Sequence, residues 1–210
     1  MAHEAFIDQD FLVVHPRRHA ASVVDAPRRR GRSFAGVAPR VGVGFRCHSG
    51  WAVAVVVTRS KAAPVILDRQ RVEMVDESLP RQPYHAVAED GYPASVIDEV
   101  YAAAVDSAIA TLRAMGPLAA VGLVATERRI PSELEQILAA HPLLHAAEGH
   151  LYERAVIDAA NDVGVRVHVV DPKSIVISDT IEAMKRSIGA PWQKDHKWAT
   201  VAALTALAGR

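Results

Sequence analysis

Apolar residues between Val41 and Val57 (VGVGFRCHSGWAVAVVV) come in two short runs parted by a Ser-Gly turn, which predicts a β-strand, a tight turn and a second β-strand. Pro64 to Val75 (PVILDRQRVEMV) alternates enough to predict a third strand, with Ile66, Arg69, Arg71 and Glu73 near an edge or the surface. Asp76 to Pro93 carries three prolines among mixed polar residues and predicts a long loop, a length that often serves function. From Ala94 to Met115 the apolar residues Ile97, Tyr101, Ala104, Ala108, Leu112 and Met115 recur three or four apart, the period of an amphipathic helix, which Gly116-Pro117 ends. Leu118 to Thr126 predicts a buried parallel strand with Glu127 at its C-terminal end.

Ser132 with Glu135 three residues on reads as a capping box for a helix to about Ala140. A longer helix from Pro142 packs Leu144, Ala147, Leu151 and Ala155 on one face, with Gly164 after its end. Val165 to Val170 is the fifth strand, followed by helices over about Ser178 to Ile188 and Lys194 to Ala208. There is no internal repeat. Helices between the later strands require crossovers and parallel pairing, whereas the first three strands can pair as a meander. The expectation is an α/β domain over 41–210, with a mixed five-stranded sheet of three antiparallel then parallel strands and helices on both faces.

Composition narrows the setting. Half of the 210 residues are hydrophobic, enough for a sizeable core, while no apolar run approaches the roughly 20 residues that a bilayer crossing needs. The first residues, MAHEAFIDQDFLVVH, lack the basic start and continuous apolar stretch of a secretory signal, so export is not expected. The single cysteine, Cys47, excludes an intramolecular disulfide and a multi-cysteine zinc site, which fits a reducing cytoplasm. Net charge is zero but uneven: between His15 and Arg40 there are seven Arg and one acid, Asp25. Removing the seven Arg and four acids of residues 1–40 from the totals of 24 and 24 leaves 17 basic and 20 acidic residues in 41–210. Residues 1–40 thus read as a disordered basic extension. Such a tail can hold nucleic acid through phosphate contacts, or be a solvated segment with no partner. A start codon assigned too far upstream would look the same.

Four groups of side chains could carry chemistry. The loop segment containing Arg81, Gln82, Tyr84 and His85 brings a fork donor, an amide, a phenol and an imidazole together, a set able to grip phosphate or a base, or equally to cap the sheet. His145, Glu148 and Tyr152 share a helical face that could line a cleft or, with His141, hold zinc. The spacing lacks an HExxH pattern, and His141 before a proline suits a helix cap, so a polar face beside the sheet edge is the simpler expectation. Cys47 and His48 are adjacent, but a Cys-His nucleophile needs spatial alignment and not sequence adjacency. Asp195 and Lys197 lie in the first turn of the last helix, where an acid is favoured electrostatically in any case, and Trp192 and Trp198 read as packing anchors.

The order of elements is the ribonuclease H-like one. Three local stretches, GVGFRCHSGWAVAVV, LVATE and KDHKWATVAALTAL, make the span from about Val41 to Leu207 resemble RuvC-type Holliday junction resolvases and their relatives. The resemblance implies carboxylates holding two divalent metals that position the attacking water and stabilise the leaving oxygen. It places Glu127 as the acid at the end of the fourth strand and Asp195 as the acid near the final helix, with Mg²⁺ or Mn²⁺ as the implied cofactor. The family's strand-one Asp is missing, since Gly44 and Phe45 occupy that region. Two readings follow: a degenerate, non-catalytic binding or assembly module, or a metal-dependent nuclease or phosphodiesterase of this group. In either case Arg81, Gln82, Tyr84, His85, His145, Glu148 and Lys197 are expected around the cleft, and a homo-oligomer is compatible with both.

Overall fold

The computed structural model describes residues 40–59 and 63–209, so the expectation for residues 1–39 lies outside the described residues. Strands β1 (Val41–His48), β2 (Trp51–Arg59) and β3 (Pro64–Glu73) form an antiparallel meander, and β4 (Ala120–Val124) and β5 (Val167–Val170) add in parallel on the other side of β1. The sheet order β3-β2-β1-β4-β5 puts β1 at the centre beside β4, which is the ribonuclease H-like arrangement. A register shift between Val56 and Val57 marks a bulge in the β2–β3 pairing. No described helix is long and apolar enough to cross a membrane.

The two faces of β1 follow from its period of two. Val43, Phe45 and Cys47 enter the larger core with helices α2 (Ser95–Ala114) and α4 (His141–Asp162), where Val100, Ala104, Leu112, Tyr152 and Val156 are buried. The opposite face is covered by the last helix, α7 (Lys194–Ala208), through Ala199, Ala203 and Leu207 against Val53, Val55 and Val57. This helix sits unusually close to the sheet. Gly44 of β1 pairs with Gly122 of β4, and a Cβ on Gly44 would stand 1.8 Å from the Ala199 carbonyl oxygen, one on Gly122 2.1 Å from that of Ala202. Two paired glycines and a face of alanines thus let backbone approach backbone.

Several local expectations are corrected. The predicted loop contains α1 (Pro83–Glu89), with Pro83 in its first turn and Pro83, His85 and Ala86 buried; Pro83 starts a helix there and does not exclude one. The Ser132–Glu135 capping box does not form. Helix α3 (Leu134–Leu138) starts after Glu133 without a side-chain cap, and Ser132 donates instead to the Glu133 carboxylate. Ala140, not His141, is the N-cap of α4. The predicted Ser178–Ile188 helix breaks at Met184 into α5 (Asp179–Ala183), capped by Ser178, and α6 (Lys185–Ile188).

Candidate functional site

β1 and β4 are parallel, so their C-terminal ends meet at one edge of the sheet, and the first turn of α7 joins them there. Glu127 lies three residues beyond β4, exposed, in the wall of a cavity of about 250 Å³ with Arg128, His150, Glu153 and Ile157. Beneath it Arg128 makes a two-point ion pair with Glu153, whose side chain is 5% exposed. Asp195 comes from α7 and hydrogen-bonds His48 at the end of β1, Oδ2 to Nε2, at 3.1 Å. Lys197 points away from that pair and binds Glu182 at 2.7 Å.

The α7-facing side of β1 reads Gly42, Gly44, Arg46, His48. Gly42 and Gly44 lie under Leu207, Ala199 and Ala203. Arg46 reaches over the Trp198 ring at 5.7 Å, and Lys194 lies 4.1 Å from the same ring. Arg46 has no carboxylate partner among the described residues, and its Nε is buried without a hydrogen bond. His48 stacks on Trp51 at 4.1 Å, and Arg71 covers Trp51 at 3.8 Å. Glu73 then bridges Arg71 and Arg81. The Arg71 bond is the main cause that holds the Glu73 carboxyl below its ordinary value. The surface is a run of guanidinium, ammonium, imidazole and indole groups with two carboxylates among them, Asp195 on His48 and Glu73 between Arg71 and Arg81; Arg46 and Lys194 are the cations that carry no carboxylate partner among the described residues.

Phe45, the other residue at the place of the missing acid, faces the opposite core and is 1% exposed. Mg²⁺ and Mn²⁺ need several oxygen ligands. Among the described residues neither Glu127 nor Asp195 belongs to a converging group of three acids, histidines or thiols, and β1 supplies no carboxylate. The donors present do not fit a two-metal carboxylate site.

The remaining expected residues assemble elsewhere, where α1 meets α4. Glu148 is 1% exposed and caps α1 from α4: its Oε1 accepts from the backbone N–H of Tyr84 at 2.9 Å and of His85 at 3.2 Å, and meets His85 Nδ1 at 3.2 Å. Burial raises the Glu148 carboxyl, against the hydrogen bonds from His85 and Tyr84. Glu148 is therefore an internal cap and not a cleft residue, a long-range role that helix periodicity cannot reveal. Arg81 is held by its carbonyl, which accepts from Tyr152 at 2.7 Å, and its side chain crosses Gly50. Gln82 is exposed, and Tyr84 is half-buried beside Ser95, Asp98 and Ser132. His145 is exposed, on His141 and His85.

Cys47 and His48 point to opposite faces. The Cys47 thiol donates to the Tyr152 carbonyl at 3.7 Å, and burial pushes it far up, so no Cys-His nucleophile forms. Sequence reasoning missed Arg46, Arg71, Trp51 and the Arg128–Glu153 pair. The period of two along β1 would have put Arg46 and His48 on one face with Gly44.

Neither a protein-family model nor a curated protein matches the chain. Similar solved structures are RuvC of T. thermophilus in complex with Holliday junction substrate, at 17% identity and TM-score 0.49 over 79% of this chain and 91% of that one. Another is a Thermus thermophilus RuvC structure, at 19% identity and TM-score 0.47 over 79% and 92%. The Aquifex aeolicus PPX-GPPA enzyme follows at 15% identity and TM-score 0.32, over 64% and 36%. These likenesses concern the fold alone; the strand order β3-β2-β1-β4-β5 and its pairing are what make the arrangement ribonuclease H-like.

Proposed function

We propose that this ribonuclease H-like domain is a binding module without metal-dependent cleavage chemistry, and that it holds a nucleic-acid backbone at the C-terminal edge of β1. The observation that carries this reading is the α7-facing row of β1: Gly44 has no room for a side chain, and the next position outward is a cation, Arg46, where a metal-binding strand needs an acid. A fixed guanidinium attracts phosphate and repels Mg²⁺. Arg71 over Trp51 and Lys194 over Trp198 extend the surface to both sides, so that phosphates would meet cations held against indole rings. The seven Arg between His15 and Arg40 would add sequence-independent attraction.

The test is binding of a fluorescein-labelled single strand, duplex and four-way junction to the full chain, followed by anisotropy with EDTA present. The expected result is binding that survives EDTA, weakens with salt, and falls about tenfold or more in Arg46→Ala and in Trp51→Ala. Binding that needs Mg²⁺, or that neither substitution changes, overturns the reading.

The second reading, a nuclease using Glu127 and Asp195, is favoured by one feature. Both acids belong to segments that meet at the strands' C-terminal edge.

A further inference from the structure

His85, His141 and His145 each offer a ring nitrogen, and the three nitrogens lie within 4.8 Å of one another. The rings pack edge to face or tilted with centroids 4.6–5.3 Å apart. Such a cluster of imidazoles could be mere surface packing, but the outer nitrogens are arranged for more. His85 commits Nδ1 to the buried Glu148 carboxylate at 3.2 Å, which leaves its Nε2 buried and without any hydrogen bond. His141 places Nδ1 3.5 Å from the Glu89 carboxylate and presents Nε2 to His145. His85 is thus backed by a hydrogen-bonded carboxylate, the pattern that fixes ring orientation and raises ligand basicity in histidine metal sites, and His141 has a second carboxylate at ion-pair distance. The Nε2 atoms of His141 and His145 are 3.0 Å apart, near the roughly 3.3 Å separating two nitrogens bound tetrahedrally to one zinc.

We propose that His85, His141 and His145 form a binding site for one zinc-class divalent cation through their Nε2 atoms, with Glu148 and Glu89 orienting His85 and His141. Imidazole donors without carboxylate ligands select Zn²⁺, Co²⁺ or Ni²⁺ and not Mg²⁺ or Ca²⁺. Three protein ligands leave a fourth position for water or a small anion. His141 and His145 lie one turn apart on α4, and His85 arrives from α1, so the ion ties the start of α4 to α1. Glu148 holds α1 in place for this through its hydrogen bonds to the Tyr84 and His85 N–H groups. The site is independent of the β1 edge, which α7 covers from the other face of the sheet, and stands or falls apart from the proposed nucleic-acid binding.

The experiment uses the full chain without a histidine tag, stripped with chelator and titrated with Zn²⁺ by calorimetry, with Co²⁺ absorption as the geometric probe. One tight equivalent and the intense visible bands of tetrahedral Co²⁺ are expected. His141→Ala and His145→Ala, both at exposed positions, should each weaken that equivalent at least a hundredfold while leaving the far-UV spectrum of the metal-free chain unchanged. Glu89→Gln should weaken it about tenfold. An excess of Mg²⁺ should not compete. No tight equivalent in the unsubstituted chain, or the same affinity in the His141→Ala/His145→Ala double variant, overturns the proposal, since the sequence holds other histidines that could bind zinc weakly.

Discussion

Adding a single methyl group at Gly44 probes the contact on which the account of β1 depends. The new Cβ would lie 1.8 Å from the Ala199 carbonyl oxygen, 2.6 Å from its carbonyl carbon and 3.0 Å from the Ala203 nitrogen, all backbone atoms of α7 that no rotamer change can move. Restoring ordinary contact requires α7 to lift by about 1.5 Å along a face where Ala199, Ala202, Ala203, Ala206 and Leu207 are buried. Overpacking costs typically 1–3 kcal/mol, and with backbone on the far side the upper end applies, so Gly44→Ala should lose about 3 kcal/mol. For a domain of this size that lowers the melting temperature by about 6–12 °C. Gly122→Ala meets the Ala202 carbonyl and should lose a similar amount. Because one lift of α7 relieves both clashes, the double variant should fall short of the sum by about 1 kcal/mol or more. Urea unfolding followed by tryptophan fluorescence reads all three. A Gly44→Ala variant within about 0.5 kcal/mol of the parent would refute the close approach, and with it the statement that no acid fits at Gly44.

Three further outcomes follow from buried and half-buried groups. Arg128→Met should destabilise by about 3 kcal/mol because it strands the Glu153 carboxylate, and adding Glu153→Leu should recover most of the loss; denaturant midpoints decide, and equal stability of the two variants would contradict it. His196 Nδ1 accepts the Gln193 N–H at the start of α7, and burial, then Arg69, hold its ionisation below the ordinary value of about 6.5. The unfolded chain therefore binds this proton first, so its contribution is complete above pH 6.5 and lost as pH falls toward the lowered folded value. His196→Gln, which keeps an acceptor at that position, should remove this part of the pH dependence of stability. Cys47 should resist thiol reagents in the native state and react once the chain is unfolded, as a timed modification assay would show; fast native labelling would contradict its burial beneath the Tyr152 carbonyl.

Most of the sheet was legible because each strand carries a local signal. The Val41–Val57 hairpin, the apolar run at β4 and the Val-rich β5 lie where their period and bounding turns put them, and central β1 follows from the order of connections. What was not legible depends on groups far apart in sequence. Helix α1 has little periodic signal, and its N-terminal N–H groups are satisfied by Glu148, 64 and 63 residues from Tyr84 and His85. The residues expected around one cleft divide between the β1 edge and the α1–α4 contact, because sequence places each on an element but not on a face of the sheet. His85, His141 and His145 were visible one by one. Their convergence needed α1 to exist as a helix, and Pro83, which starts it, read as a loop signal.

The central claim is that this fold is present without metal-dependent cleavage. Its most direct test is incubation of the purified chain with four-way junction, duplex and RNA–DNA hybrid substrates in Mg²⁺ or Mn²⁺, beside Glu127→Gln and Asp195→Asn variants. The account predicts no cleavage above background by any of the three proteins, while the junction stays bound. Robust cleavage by the parent chain that disappears in both variants would contradict it and restore the nuclease.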